Sequence, residues 1–406
     1  MMRWLAAFAL VLTCAVSQAR ADSWVPAQRE TYLSPDERTR LTVIPRGVDT
    51  LAYFKDKVAK KEPAGQAPGE TRTTAHAVLE RRGETGGWTR IWEAPLVNEV
   101  APVSALVANG GQYVVTFDNW HAVGYGPDVV VIYGADGRHV RSFALVDLLP
   151  GSYVRGLPRT VSSLWWGGEH RLSSDGRQLI LSIVVPSDDA PPDAREMVEI
   201  AIDLASAKPV PPSGPAWERA LAQARKVAQA RKEAVAPLRV AFAAPLGAPR
   251  TADEAAWSEY LRGAFMRLDP RSDVFPRAFV LEAPGRAGHR ESQTALYAAL
   301  RNTDHASSFG NVLLLASLAP PDQFVQILRD GVQPVRPGTM KDVHVYVAIP
   351  AAWRDQVAAI LAPTGAAFTH IDPAVPIPQD PQRLADLRAA EAEEAAEEAR
   401  ESAPRP

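Results

Sequence analysis

Cysteine is nearly missing from this chain: Cys14 is the single one in 406 residues. That excludes an interior stitched by disulfides, and it excludes iron–sulfur clusters and thiolate zinc sites. Long apolar runs are lacking after Ala21, so no later segment reaches the length of a membrane-spanning helix. Neither sign of charge prevails, with 44 Lys and Arg against 47 Asp and Glu. Residues 380–406 hold eight of the acids and four arginines, so the rest of the chain is close to neutral. Such a balance leaves no electrostatic footprint for a nucleic acid. The patterns G-x-x-x-x-G-K-[ST], G-x-G-x-x-G, G-x-S-x-G, H-E-x-x-H and S-x-x-K do not occur. The common signatures of phosphate binding, serine hydrolysis and zinc proteolysis are therefore not present.

What is there begins with an export signal. Arg3 is followed by an apolar run over residues 4–13 and by Ala19-Arg20-Ala21, a cleavage-site pattern. Residues 1–21 are expected to be removed, giving a periplasmic or secreted chain that starts near Asp22 and has no cysteine. Cys14 offers lipidation as the alternative, but Leu12-Thr13 before it fits a lipobox poorly.

Residues 22–74 read as an irregular lead-in with a short strand at 41–45 and a short helix at 51–60. Strand signals dominate residues 75–210. Residues 113–117 and 129–133 are runs of β-branched and aromatic side chains, which suit a pleated, half-buried surface. Asn109-Gly110-Gly111 and Ala135-Asp136-Gly137-Arg138 beside them are turn sequences, because Asn, Asp and Gly tolerate positive φ. These runs predict an antiparallel all-β domain.

The stretch SSDGRQLILSI followed by MVEIAIDLASAKPV resembles a blade of β-propeller proteins. ANGGQYVVTFD followed by DVVVIYGADGRHV is a looser match to the same unit. The resemblance covers residues 103–210 and implies propeller-type antiparallel blades. Two blocks are counted, and residues 75–94 are the candidate for a third. A closed ring usually needs at least four blades, so a partial propeller and a sandwich both stay open.

Residues 211–236 read as a linker helix with a thin alanine-rich stripe and a basic face. A connecting helix and a membrane-surface helix both fit that pattern. From residue 237 to 373 strand and helix signals alternate about four times, which predicts an α/β domain with right-handed crossovers. It is expected to open with a strand at 238–243 and a helix capped by Thr251 and Glu254. Gly331 is expected to end a later helix. Residues 374–406 are a proline-rich spacer and an Ala/Glu-rich tail, expected as a solvated helix or disorder. The fold class is thus α+β multidomain.

Two clusters concentrate chemistry. The first is the loop Asp118, Asn119, Trp120, His121, Tyr125 and Asp128, where two acids, an imidazole and two large aromatics fall between strands. Asp and His can share a proton or a cation, and Trp and Tyr can stack on a ligand. The bland alternative is a capped turn covering a sheet edge. The second is Trp166, Glu169 and His170, beside Trp165. Neighbours on a strand face opposite ways, so one Trp belongs in the core and the other outside. The loop 283–290, between a strand and a helix, is a weaker anion candidate, while His305 and His370 are isolated.

These readings favour an exported, non-catalytic binding or interaction protein of unknown small-molecule or protein ligand. No catalytic residue, metal or cofactor is assigned to it. The alternatives are a metal-dependent or other hydrolase centred on Asp118, His121 and Asp128, and an envelope-attached scaffold.

Overall fold

A computed structural model describes residues 25–402 apart from 161, 189–190, 192–193, 270–275 and 302–310. The expected signal, Cys14 and His305 lie outside these residues. The described residues divide into two compact units, those up to residue 233 together with those from 397 onward, and those within 234–396.

The first unit holds three four-stranded antiparallel sheets, each in chain order. Sheet one is β1 (Glu30–Leu33), β2 (Thr39–Ile44), β3 (His76–Arg82) and β4 (Trp88–Pro95), with α1 (Thr50–Val58) between β2 and β3. Sheet two is β5 (Ser104–Val107), β6 (Tyr113–Phe117), β7 (Val130–Gly134) and β8 (His139–Phe143). The short helices α2 (Leu145–Leu148) and α3 (Gly151–Gly156) lead to sheet three, β9 (Arg171–Leu172), β10 (Gln178–Val184), β11 (Met197–Asp203) and β12 (Lys208–Val210). The strand expected at 41–45 and the helix expected at 51–60 are β2 and α1, and the segment otherwise read as irregular also supplies β1. Its strand pattern is weak because β1 is short and largely exposed.

Sheet two is covered on both faces. Val114, Val131 and Tyr133 pack with Leu41, Leu79 and Trp92 of sheet one. Val115, Phe117, Val130 and Ile132 point the other way, into Leu179, Leu181 and Ile183 of sheet three. Double coverage explains why β6 and β7 are almost continuously apolar rather than alternating. Each such buried aliphatic or aromatic side chain contributes about 1.5–3 kcal/mol.

The expected linker helix is α4 (Pro215–Ala243), which runs on through Pro237. The strand expected at 238–243 is therefore not formed. Leu238 and Val240 mimic strand alternation in the sequence, yet they are 66% and 71% exposed and have no strand beside them. Without a partner strand, local helix propensity prevails, and proline costs the helix a single backbone hydrogen bond there.

The second unit is a parallel sheet in the order β13 (Arg277–Leu281), β14 (Val312–Ser317), β15 (His344–Ala348), β16 (Ala367–Ile371). The order never reverses, so right-handed crossovers return each connecting helix to one side. The helices α6 (His289–Arg301), α7 (Pro321–Val332) and α8 (Arg354–Leu361) accordingly share a core with Leu313, Leu315, Val345 and Val347. On the other face α5 (Glu254–Leu268) covers Val280, Val312, Leu314 and Ala316.

Three local expectations change here. The cap of α5 is Asp253, whose carboxylate accepts the Ala256 N–H at 2.7 Å, not Thr251. Gly331 lies inside α7, where a Cβ would come within 2.9 Å of Leu300 Cδ1. It is a point of close helix approach rather than a stop. The alternation of His344, Tyr346 and Ala348 with Val343, Val345, Val347 and Ile349 predicts a strand near an edge or under a thin layer; β15 is instead interior, and Tyr346 and Ala348 are buried under the α5 side. The tail forms α9 (Pro381–Ser402), a largely exposed helix. Among the described residues no helix is long and apolar enough to cross a membrane.

Candidate functional site

The connection from β6 to β7 is held from below by Asn98, which is fully buried. Its Nδ2 donates to the Asp118 carbonyl and to Asn119 Oδ1, both at 2.9 Å, and its Oδ1 accepts from Thr116 Oγ1 at 3.0 Å. The Asp118 N–H donates to the Val129 carbonyl, closing the loop at its base. Asp118 and His121 both have positive φ, 57° and 64°, which is uncommon for residues with a Cβ. Such strain persists only where surrounding contacts over-determine the conformation.

Asp118 turns inward. It is 7% exposed, and its Oδ1 accepts the Gly124 N–H at 2.7 Å and the Trp166 indole N–H at 3.0 Å. Burial pushes its carboxyl up to about 6, although both hydrogen bonds pull the other way. Gly124 is required at its position. Its φ is +73°, and a Cβ would lie 2.6 Å from Leu164 Cβ.

Trp166 is buried and Trp165 is 50% exposed, so the pair splits between core and surface. His170 lies between the rings of Phe117 and Trp166, with centroids 4.5 and 4.7 Å away. Its Nδ1 accepts the Ser182 N–H at 3.3 Å, and burial lowers its pKa to about 4. Glu169 is exposed. Asp118, Trp166 and His170 therefore form an internal brace.

The rest of the loop opens on a cavity of about 340 Å³. Asn119, Trp120, His121, Tyr125 and Asp128 line it, together with Tyr53 and Lys57 of α1 and with Val97, Glu99 and Val100. Asp118, Trp166, Glu169 and His170 do not, so the two clusters proposed from sequence are not one site.

Tyr53, Lys57 and Glu99 were not legible as site residues. Tyr53 and Lys57 are four apart on a helix opened by Asp49, whose carboxylate accepts the Ala52 N–H, and that spacing places both on one helical face. It was the one available signal, and Glu99 had none.

Glu99 organises this wall. The buried Arg46 guanidinium donates to Glu99 Oε1 at 3.1 Å and to the Glu99, Ala64 and Gln66 oxygens around it. Lys57 Nζ bridges Glu99 at 2.8 Å and Glu62 at 2.7 Å. Tyr53 Oη donates to Glu99 Oε2 at 3.0 Å and also bonds His121 Nε2. A carboxylate flanked by two cations only accepts, so the phenol proton goes to Glu99. His121 must then donate from Nε2, which leaves Nδ1 as the basic nitrogen of the ring. Burial holds the His121 pKa below its ordinary value, with Glu99 opposing, so the ring is neutral near pH 7.

Chemically, the cavity offers aromatic and aliphatic walls, a neutral imidazole, a doubly paired carboxylate and the Asp128 carboxylate. The cation centre imagined from Asp118, His121 and Asp128 is not formed, because Asp118 is committed to Gly124 and Trp166. Among the described residues no three His, Cys, Asp or Glu side chains are grouped to hold a metal ion. In the weaker 283–290 candidate, His289 Nδ1 donates to the Glu282 carbonyl at 2.6 Å and Arg286 to the Ala252 carbonyl at 2.8 Å. His370 donates to the Ile349 carbonyl at 2.7 Å. These groups close turns and join strands. No family model matches the chain, and no curated protein matches its sequence.

Proposed function

We propose that this is an exported, non-catalytic binding protein whose ligand is a small molecule seated in the cavity between α1 and the 118–128 loop. The observation that carries this reading is the convergence of Tyr53, Lys57, Glu99, His121, Tyr125 and Asp128 on one concave space. Its volume falls in the range of about 300–1,000 Å³ usual for small-molecule sites. The lining has no Ser, Thr or Cys to act as a nucleophile. Its one amine, Lys57, is engaged by two carboxylates. Export rests on the amino-terminal sequence alone, and mass spectrometry of the mature terminus checks it by a start near Asp22.

The binding reading is tested by equilibrium dialysis against a small-molecule extract, with the bound fraction identified by mass spectrometry. The wild type is expected to enrich a compound that Ala122→Trp, which fills the cavity from its lining, does not. Equal recovery from both proteins overturns the reading.

A further inference from the structure

We infer that the cavity between α1 and the 118–128 loop takes a small organic cation, an ammonium group on an apolar body, with Asp128 as its counter-ion. The inference rests on the binding reading above and names the class of ligand.

Four charged groups form the Glu99 side of the wall. Arg46 and Lys57 are cations, and Glu99 and Glu62 are their acids, joined by ion pairs of 2.7 to 3.1 Å. That cluster sums to zero. His121 adds no charge near neutral pH, because burial disfavours its protonated form. Asp128 is the remaining ionisable acid of the lining. It is only partly exposed, and among the described residues no hydrogen bond or ion pair reaches its carboxylate. A half-buried carboxylate without a partner is the least satisfied group in the cavity, and a cation is its complement.

Its placement is rigid. Asp128 precedes Val129, whose carbonyl accepts the Asp118 N–H and whose own N–H donates to Phe143. The charge is thus mounted on the end of the β6–β7–β8 ladder rather than on a swinging tip. Beside it, Tyr125 is steadied by donating to the Thr160 carbonyl at 3.3 Å. Val97, Val100, Trp120 and Pro127 supply apolar surface. An ammonium on a hydrocarbon or aromatic body meets all of these at once. The ring of Tyr125 adds a face attractive to a cation. An anion would meet Asp128 directly, since both cations of the wall are already paired.

Calorimetric titration of the full mature protein at neutral pH tests this with three matched probes: phenethylamine, phenethyl alcohol and phenylpropionate. Phenethylamine is expected to bind with unit stoichiometry and the other two far more weakly. Asp128→Asn should weaken the amine by about tenfold or more. It should leave the melting temperature unchanged, because Asp128 supports no other group. Preferential binding of the alcohol or the acid, abolished by Ala122→Trp, overturns the cation inference and leaves the cavity as a binding site. Amine binding that is insensitive to both Asp128→Asn and Ala122→Trp overturns it too, by placing the amine elsewhere. If no probe gives heat above buffer, the inference fails, and the extract dialysis separately decides the binding reading.

Discussion

The parallel-sheet unit keeps polarity at its margins. Among its described residues the buried polar groups are Asp269 at the end of α5, Thr364 in a turn and Gln379 in a loop, and the strands β14 and β15 bury apolar side chains almost throughout. The stacked-sheet unit places Arg46, Asn98 and Asp118 deep in its interior, and all three border or brace the same loop. Burying a charge is costly unless it is fully partnered. A chain that gathers three such groups about one loop, against the one buried acid Asp269 among the described residues of the other unit, marks that loop as the place with a task beyond folding. Topology agrees. A parallel sheet whose strand order never reverses has no switch point, the usual crevice for ligands in open α/β folds.

The largest test of this contrast removes one buried group from each unit. Arg46→Ala leaves Glu99 with Lys57 as its one cation and strips the Ala64 and Glu99 carbonyls of their guanidinium donor, and it is expected to cost about 3–5 kcal/mol. Leu315→Ala, in the apolar core of the other unit, is expected to cost about 2–5 kcal/mol by leaving a cavity. In scanning calorimetry each variant should depress a different transition. The contrast breaks if both lower the same one.

Next in size is a pH effect confined to the brace. Asp118 binds its proton more tightly folded than unfolded, so stability falls as pH rises from about 4 to about 6. His170 binds its proton less tightly when folded, so stability rises as pH climbs from about 4 to about 6.5. Each contribution is roughly 3 kcal/mol, and in the wild type they oppose one another. Urea denaturation of His170→Phe should therefore show stability declining over that window, and Asp118→Asn should show the reverse. Flat profiles in both variants would mean that the two groups titrate alike in the folded and unfolded chain.

The smallest test compares two aspartates making the same bond. Asp118 and Asp253 each accept a backbone N–H at 2.7 Å, one buried and one exposed at a helix start. Asp253→Ala should cost about 1 kcal/mol, an ordinary cap. Asp118→Ala, which strips the same bond from the interior, should cost more, judged by chemical denaturation. Equal losses in the two variants would erase the distinction.

Much of the architecture was legible in the sequence. The apolar runs of β6, β7, β10 and β14 and the Gly-containing turns announced an antiparallel front and an α/β back. What failed, failed for lack of a tertiary term. Leu238 and Val240 alternate like a strand but have no neighbouring strand. Gly331 looks like a stop until α6 is seen against it. In the site, the loop was legible as a dense run of functional side chains. Its division was not, because whether Asp118 faces Trp166 or the cavity depends on a contact 48 residues away. Tyr53 and Glu99 come from segments 46 residues apart, and nothing local joins them.

The single oxygen of Tyr53 touches both Glu99 and His121. A guest that draws on the imidazole must therefore also change the electronic surroundings of that phenol. Occupancy then becomes readable in the near-ultraviolet difference spectrum, without dye or label, and Tyr53→Phe silences the signal.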